Sequence, residues 1–300
     1  MKLLSFGPAG RERPGVLLDA ERILDLALVS AGEFPSLRHL FVRGDAGLSK
    51  VAEWISAEHP EEQIVSIRDV RLGPPLTNPS KIVCLGLNYR CHADEQNARI
   101  PANPLLFAKA VTSLAGAGDP IWIPEGEEHL DYEVELAMVI GRTAFRIDPK
   151  EWESYVAGYT VLNDVSSRDA QRSDKKWFRG KSCDSSCPMG PWIVTKDEIP
   201  KPDALRLTTT LNGEIRQDGT TSDLLFPIPE ILAFVSRNTT LVPGDVISTG
   251  TPKGVGIFRD PPACMNAGDE VVVSVEQIGT LTNSVQDRPD NRPSPYPTFP

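Results

Sequence analysis

The segment Leu130-Asp131-Tyr132-Glu133-Val134-Glu135-Leu136-Ala137-Met138-Val139-Ile140-Gly141 decides how this chain is read. Its second half is a continuous apolar run, the pattern of a buried strand. Its first half carries an acid at every second position. Side chains alternate across a strand, so Asp131, Glu133 and Glu135 are expected on one face, with Val134 and Leu136 on the other. Successive acids on that face have Cα atoms about 7 Å apart. Carboxylates so close repel unless a positive charge sits between them, and a hard divalent cation with its preference for oxygen ligands is the simplest neutraliser. Taken alone, alternating acids describe a solvated face; only matching residues elsewhere turn them into a site.

Working outward, the flanking chain is rich in short strands. Ile82-Val83-Cys84-Leu85-Gly86-Leu87 reads as a strand buried on both faces. Further strands are expected at Ile121 to Ile123, Val156 to Leu162, Pro191 to Val194, Leu205 to Leu211, Asp245 to Thr249 and Glu270 to Val275. Leu211-Asn212-Gly213-Glu214 carries the Asn-Gly signature of a tight hairpin. Helices are few: Asp164 to Arg172 and Ile228 to Ser236. Many strands and few helices predict an α+β, β-rich domain built as a mixed β-roll or barrel. Residues 1–72 read as a small N-terminal domain, with short strands near Val16 and Ile23 and a helix carrying Leu48, Val51, Trp54 and Ile55 on one side. Gly73-Pro74-Pro75 then punctuates the chain, and residues 73–286 form the main domain. Residues 287–300 are a polar, proline-rich tail.

Composition narrows the function classes. Three hundred residues suffice for a substantial core. A net charge of −10 argues against nucleic acid as a partner. No apolar run is long enough to span a bilayer, so no membrane partner is expected. Neither end carries a recognisable targeting signal, which makes the cytoplasm the expected location. The five cysteines, Cys84, Cys91, Cys183, Cys187 and Cys264, are an odd count without metal-finger spacing, so reduced thiols are expected.

Three further features bear on chemistry. Asp164 follows the apolar run Tyr159-Thr160-Val161-Leu162, as a helix N-cap or as a third metal ligand at a strand end. His92 and Glu95 are three apart, so on a helix they share a face. A carboxylate beside a histidine fixes its tautomer and raises its basicity, as a water-activating base requires; an incidental surface pair has the same spacing. Lys181, in Gly180-Lys181-Ser182, is either a solvated loop lysine or a neutraliser of a substrate carboxylate or enolate oxygen. The loop Gly250-Thr251-Pro252-Lys253-Gly254-Val255-Gly256 is glycine-rich but is not a phosphate-cradling loop.

Read in order, these motifs carry a resemblance. Gly86-Leu87-Asn88-Tyr89 with His92 and Glu95, Asp131-Tyr132-Glu133-Val134-Glu135-Leu136, Asn163-Asp164-Val165-Ser166 with Arg168, Asp169 and Gln171, Gly180-Lys181-Ser182 with Asp184, Gly190-Pro191-Trp192, and Pro243-Gly244-Asp245 leading to Thr249-Gly250-Thr251-Pro252 resemble the fumarylacetoacetate hydrolase (FAH) family. The late Gly268-Asp269-Glu270 and Ile278-Gly279-Thr280-Leu281 fit its closing segments, so the likeness spans about residues 80 to 285. It implies an FAH-like fold with a small N-terminal accessory domain. It also implies roles: Glu133, Glu135 and Asp164 as ligands of Mg2+ or Mn2+, with Ca2+ a further hard cation that fits. His92 and Glu95 fall on a water-activating dyad, and Arg168, Gln171, Lys181 and Thr251 on substrate-binding positions, Lys181 being catalytic as well. Lys109 matches a recurrent lysine without an assigned role, and Asp131 is a neighbour of the ligands. One departure is Ser182-Cys183-Asp184-Ser185-Ser186-Cys187, where relatives often carry an aromatic residue and a threonine; it leaves the pocket shape open.

The implied activity is metal-dependent hydrolytic cleavage of a C–C bond in an acylpyruvate-like or 2,4-diketo acid, through a metal-stabilised enolate with water activated by the dyad. The alternatives are decarboxylation of an oxaloacetate-type 2-oxo acid, or isomerisation or hydration of an unsaturated one. From another class, the chain is a non-catalytic metal-stabilised binding protein. The family likeness also implies a small-molecule 2-oxo or diketo acid partner and a homodimer.

Overall fold

The computed structural model describes residues 1–289; most of the expected proline-rich tail lies outside the described residues. A mixed twelve-stranded sheet is the backbone of the fold. At its centre Val134–Ile140 pairs antiparallel with Val156–Asn163 on one side and with Val246–Ser248 on the other. Val246–Ser248 continues in parallel to Ile82–Gly86, which pairs with Leu105–Lys109 at that edge. On the far side Val156–Asn163 pairs with Cys187–Thr195. A second sheet of five strands runs Glu214–Thr220, Arg206–Leu211, Glu270–Val275, Gly279–Asp287, Ile121–Ile123. The strand order of each sheet has two ends, so the β-rich α+β fold is rolled, and the barrel alternative is not what forms.

Every residue of Val134–Ile140 is buried, and the alternation of side chains explains why. Val134, Leu136, Met138 and Ile140 enter a core shared with Leu207, Val271, Val273 and Leu281 of the second sheet and with Ile228, Ile231, Leu232 and Val235 of the helix Ile228–Ser236. Ala137 and Val139 enter the other core, made by Leu162, Met189 and Ile193 with residues of the N-terminal segment. A strand covered on both faces is apolar along most of its length, and this one is apolar at every position but Glu135.

The N-terminal seventy residues are continuous with the main sheet. Lys2–Phe6 pairs antiparallel with Cys187–Thr195, bringing Leu3 opposite Ile193. Leu24, Phe34, Leu37, Leu40 and Val51 share their core with Ala137 and Val139. The expected small domain thus extends the large sheet rather than standing apart. Its own sequence gives the reason: Leu3, Leu4 and Phe6 are fully buried and need a second surface to cover them. The expected hairpin forms at Asn212-Gly213, both at positive φ (52° and 80°) as the tight turn requires.

Two differences matter for the site. The acidic segment is not one strand: Leu130–Asp131 pairs with Ser166–Ser167 in a separate two-stranded ribbon, and the main strand begins at Val134. The helix expected from Asp164 instead spans Arg168–Asp174, with Ser167 at its N-cap position. Asp164 is therefore not a cap.

Candidate active site and metal centre

Glu133 precedes the central strand, Glu135 lies within it, and Asp164 follows Val156–Asn163 next to it. The adjacent chains are tied together at this level. The Asp164 amide donates to Glu133 O (2.8 Å), and the Glu133 amide donates to Asn163 Oδ1 (3.0 Å). The three carboxylates converge so that one oxygen from each lies within 4.8 Å of the others. All three are buried, Asp164 completely, which rules out the solvated-face reading of the acids.

Such a cluster exists only with compensating charge. Lys181 Nζ donates to Glu133 Oε2 (2.6 Å) and Asp164 Oδ2 (2.7 Å). Lys109 Nζ donates to Asp164 Oδ1 (2.6 Å), which gives that lysine the role the sequence left unassigned. Arg168 Nη2 donates to Glu133 Oε1 (2.6 Å). Burial opposes ionisation of Glu133, but Lys181 and Arg168 outweigh it and hold its carboxyl well below the usual range. Burial also opposes the charge on Lys181, and Asp164 and Glu133 more than restore it. Glu135 differs. Burial, then Asp164 and Glu133, push its carboxyl well above the ordinary value. Its Oε2 accepts from Ser248 Oγ and from the Gly250 amide (3.1 Å). A bridging ammonium and a carboxyl pushed toward its neutral form mark a donor set short of positive charge. Three hard oxygens of this kind fit Mg2+ or Mn2+, which Glu133, Glu135 and Asp164 could hold.

Asp131 is not a ligand; it anchors Arg168. Its Oδ2 accepts from Arg168 Nε (3.0 Å) and Nη2 (2.9 Å). Its oxygens also accept the amides of Gly256 (2.7 Å) and Ile257 (3.1 Å) from the glycine-rich loop. A side chain at Gly256 would run into Asp131 Oδ1 and Ala263 O, so the loop approaches this closely only with glycine there.

His92 and Glu95 lie on the helix Arg90–Glu95. His92 Nδ1 is 2.6 Å from Glu95 Oε1, and Gln96 Nε2 is 2.7 Å from His92 Nε2. An amide N–H directed at Nε2 makes that nitrogen the acceptor, so Nδ1 carries the proton and donates to Glu95. Glu95 Oε2 accepts the Gly254 amide (2.9 Å), which ties this helix to the glycine-rich loop.

His92, Glu133, Glu135, Arg168, Gln171, Lys181 and Thr251 line one cleft of about 260 Å³. Of the other expected residues, Glu95 sits behind His92 and Asp164 beneath Lys181. Thr251 Oγ1 donates to Val134 O (2.9 Å) and accepts from Gln217 Nε2 (2.8 Å), so its hydroxyl is largely engaged in holding the loop. Sequence reading missed Gln96, Phe107, Arg172, Trp177 and Phe258 as lining residues. Helical spacing was a signal for Gln96, four residues after His92; no local pattern marks the aromatic ones.

A β-rich roll whose buried acidic cluster adjoins a cleft beside a His–Glu pair has a donor set that could hold a divalent cation. The chain belongs to the fumarylacetoacetate hydrolase family: the fumarylacetoacetate (FAA) hydrolase C-terminal family matches residues 81–286. It is 39% identical over 289 residues to the mitochondrial oxaloacetate tautomerase Fahd2a of Rattus norvegicus, covering 95% of this chain and 91% of that protein. It is 40% identical over 288 residues to the oxaloacetate tautomerase YisK of Bacillus subtilis, covering 90% and 95%. Among solved structures it resembles maleylpyruvate hydrolase from Sphingobium sp. SYK-6 in complex with manganese(II) and pyruvate (TM-score 0.79, 28% identity, 96% of this chain and all of that one).

Proposed function

We propose that this protein is a metal-dependent enzyme that interconverts the keto and enol forms of a 2-oxo acid of the oxaloacetate type. The observation that carries this reading is the opening of Glu133, Glu135, Lys181 and His92 into one cleft. The two oxaloacetate tautomerases at 39% and 40% identity support it. Mg2+ or Mn2+ held by Glu133, Glu135 and Asp164 would supply Lewis-acid polarisation of the carbonyl next to the acidic C–H.

The protein's own groups do the rest. Arg168, clamped by Asp131, offers its guanidinium to the carboxylate of the 2-oxo acid. His92 takes the C3 proton at Nε2 once the Gln96 amide gives way, and Glu95 stabilises the imidazolium that forms. The C–H pair becomes the C2–C3 double bond, the carbonyl pair moves to oxygen, and the ammonium of Lys181 donates to that oxygen. Return of the proton to oxygen gives the enol; the reverse sequence gives the ketone. No water is consumed.

The hydrolytic reading adds a water to the same enolisation chemistry. The maleylpyruvate hydrolase likeness, at 28% identity, favours it. Oxaloacetate and an acylpyruvate, each with Mg2+ and with Mn2+, separate the two. The proposal expects rapid decay of enol-oxaloacetate absorbance with little acylpyruvate cleavage. Fast cleavage without enol decay would reverse the order.

A further inference from the structure

The cleft holds one cation that is not engaged. Arg168 is committed to Asp131 and Glu133, and Lys181 to Glu133 and Asp164. Arg172 also lines the cleft, is exposed, and makes no hydrogen bond or ion pair among the described residues. It lies four residues beyond Arg168 on the helix Arg168–Asp174, so the two share a face. One turn separates them, about 6 Å along the axis. The basic chain on that helix therefore continues from the floor of the cleft toward its mouth.

Charge balance says what this cation is for. Asp131, Glu133 and Asp164 pair with Lys109, Arg168 and Lys181, three charges against three. Glu135 together with a divalent ion would leave one positive charge over. A 2-oxo monoacid then adds a single charge at the inner end, where Arg168 stands. A dicarboxylate adds a second charge further out, and the cation lining the cleft without an ion pair among the described residues is Arg172.

We propose that Arg172 binds the distal carboxylate of the substrate and so selects short 2-oxo dicarboxylates over monocarboxylates of the same shape. The inference rests on the reading that a 2-oxo acid occupies this cleft. Lys175 and Lys176 follow closely but do not line it, so they separate a local contact from a general positive field.

The test is calorimetric binding to the Mn2+-loaded full chain, with oxaloacetate and 2-oxobutanoate as probes. The two acids differ by a terminal carboxylate in place of a methyl group. The wild type is expected to bind oxaloacetate about tenfold or more tightly, the worth of one charge-assisted contact. Arg172→Gln is expected to erase that preference, Arg172→Lys to restore part of it, and Lys176→Gln to leave it intact. Equal binding of the two acids by the wild type, a preference that survives in Arg172→Gln, or one lost equally in Lys176→Gln would overturn the proposal. A wild type that keeps the preference but does not enolise oxaloacetate removes the catalytic reading and leaves this one standing. One that enolises both acids with equal affinity does the reverse.

Discussion

Glu133 and Glu135 are two residues apart and are driven in opposite directions. Two cations donate to Glu133 and hold its carboxyl low; burial and the neighbouring carboxylates push that of Glu135 up despite Lys181. The linkage signs follow. The raised Glu135 contributes stability that is fully present below its unfolded value of 4.5 and is lost as pH rises through its folded value. The lowered Glu133 contributes stability present above 4.5 and lost as pH falls toward its folded value. The chelated protein is therefore expected to lose melting temperature on the alkaline side, and Mg2+ or Mn2+ to remove that loss by taking the place of the proton. Thermal melts across pH with and without chelator check this; a metal effect independent of pH would contradict it. Lys109 makes a separate prediction. Its Nζ and Asp164 are both fully buried, so Lys109→Met leaves a buried carboxylate short of a partner. The cost is about 3–5 kcal/mol, read from urea unfolding of the metal-free protein; a change below about 1 kcal/mol would show that Lys181 alone neutralises Asp164.

At the scale of elements, the site depends on how the helix Arg90–Glu95 is fastened. Asn88, fully buried just before it, donates to Thr249 O (2.8 Å) and Phe226 O (3.2 Å) and accepts the Phe226 amide (2.9 Å). Asn88→Ala would strand buried backbone groups at roughly 1–3 kcal/mol each. The expected outcome is a loss of about 2–3 kcal/mol in urea unfolding, with faster amide exchange over residues 89–96; unchanged exchange there would mean that the Glu95–Gly254 bond holds the helix alone. The strands and the helix Ile228–Ser236 were legible because burial writes itself as apolar runs, and Glu270–Val275 falls where it was expected. Leu105–Lys109 was not, since it is an edge strand with exposed positions and no alternation. Glu214–Thr220 was missed because it lies at a sheet edge and is polar along most of its length. The break between Asp131 and Val134 was also hidden. Nothing local says that Asp131 pairs with Ser166 in a separate ribbon, and that tertiary fact turns it from a candidate ligand into the anchor of Arg168. The ligand trio and the His–Glu pair were legible as an ordered set of motifs; the cations that make the trio tolerable were only partly so, because Lys109 sits far away in sequence.

At the scale of the whole molecule, one strand joins the two cores. Val134–Ile140 packs the second sheet with one face and the N-terminal segment with the other, so the acids at its start are carried by a strand buried on both sides. Rigid carboxylates suit a site that must hold a cation without rearranging. Leu105, Leu106 and Phe178 remain exposed near the cleft. With the family likeness they support our proposal of a homodimer, for which sedimentation equilibrium is expected to return twice the chain mass; a single chain mass at micromolar concentration would contradict it. The central claim is that this carboxylate cluster and its cleft enolise a 2-oxo acid, and hydrogen–deuterium exchange at C3 of oxaloacetate in D2O, followed by NMR, measures that step itself. The account predicts fast exchange with the wild type and Mg2+ or Mn2+, lost on chelation and in Glu135→Gln. Exchange at the uncatalysed rate with the metal-loaded wild type, or full exchange retained by Glu135→Gln after chelation, would contradict it.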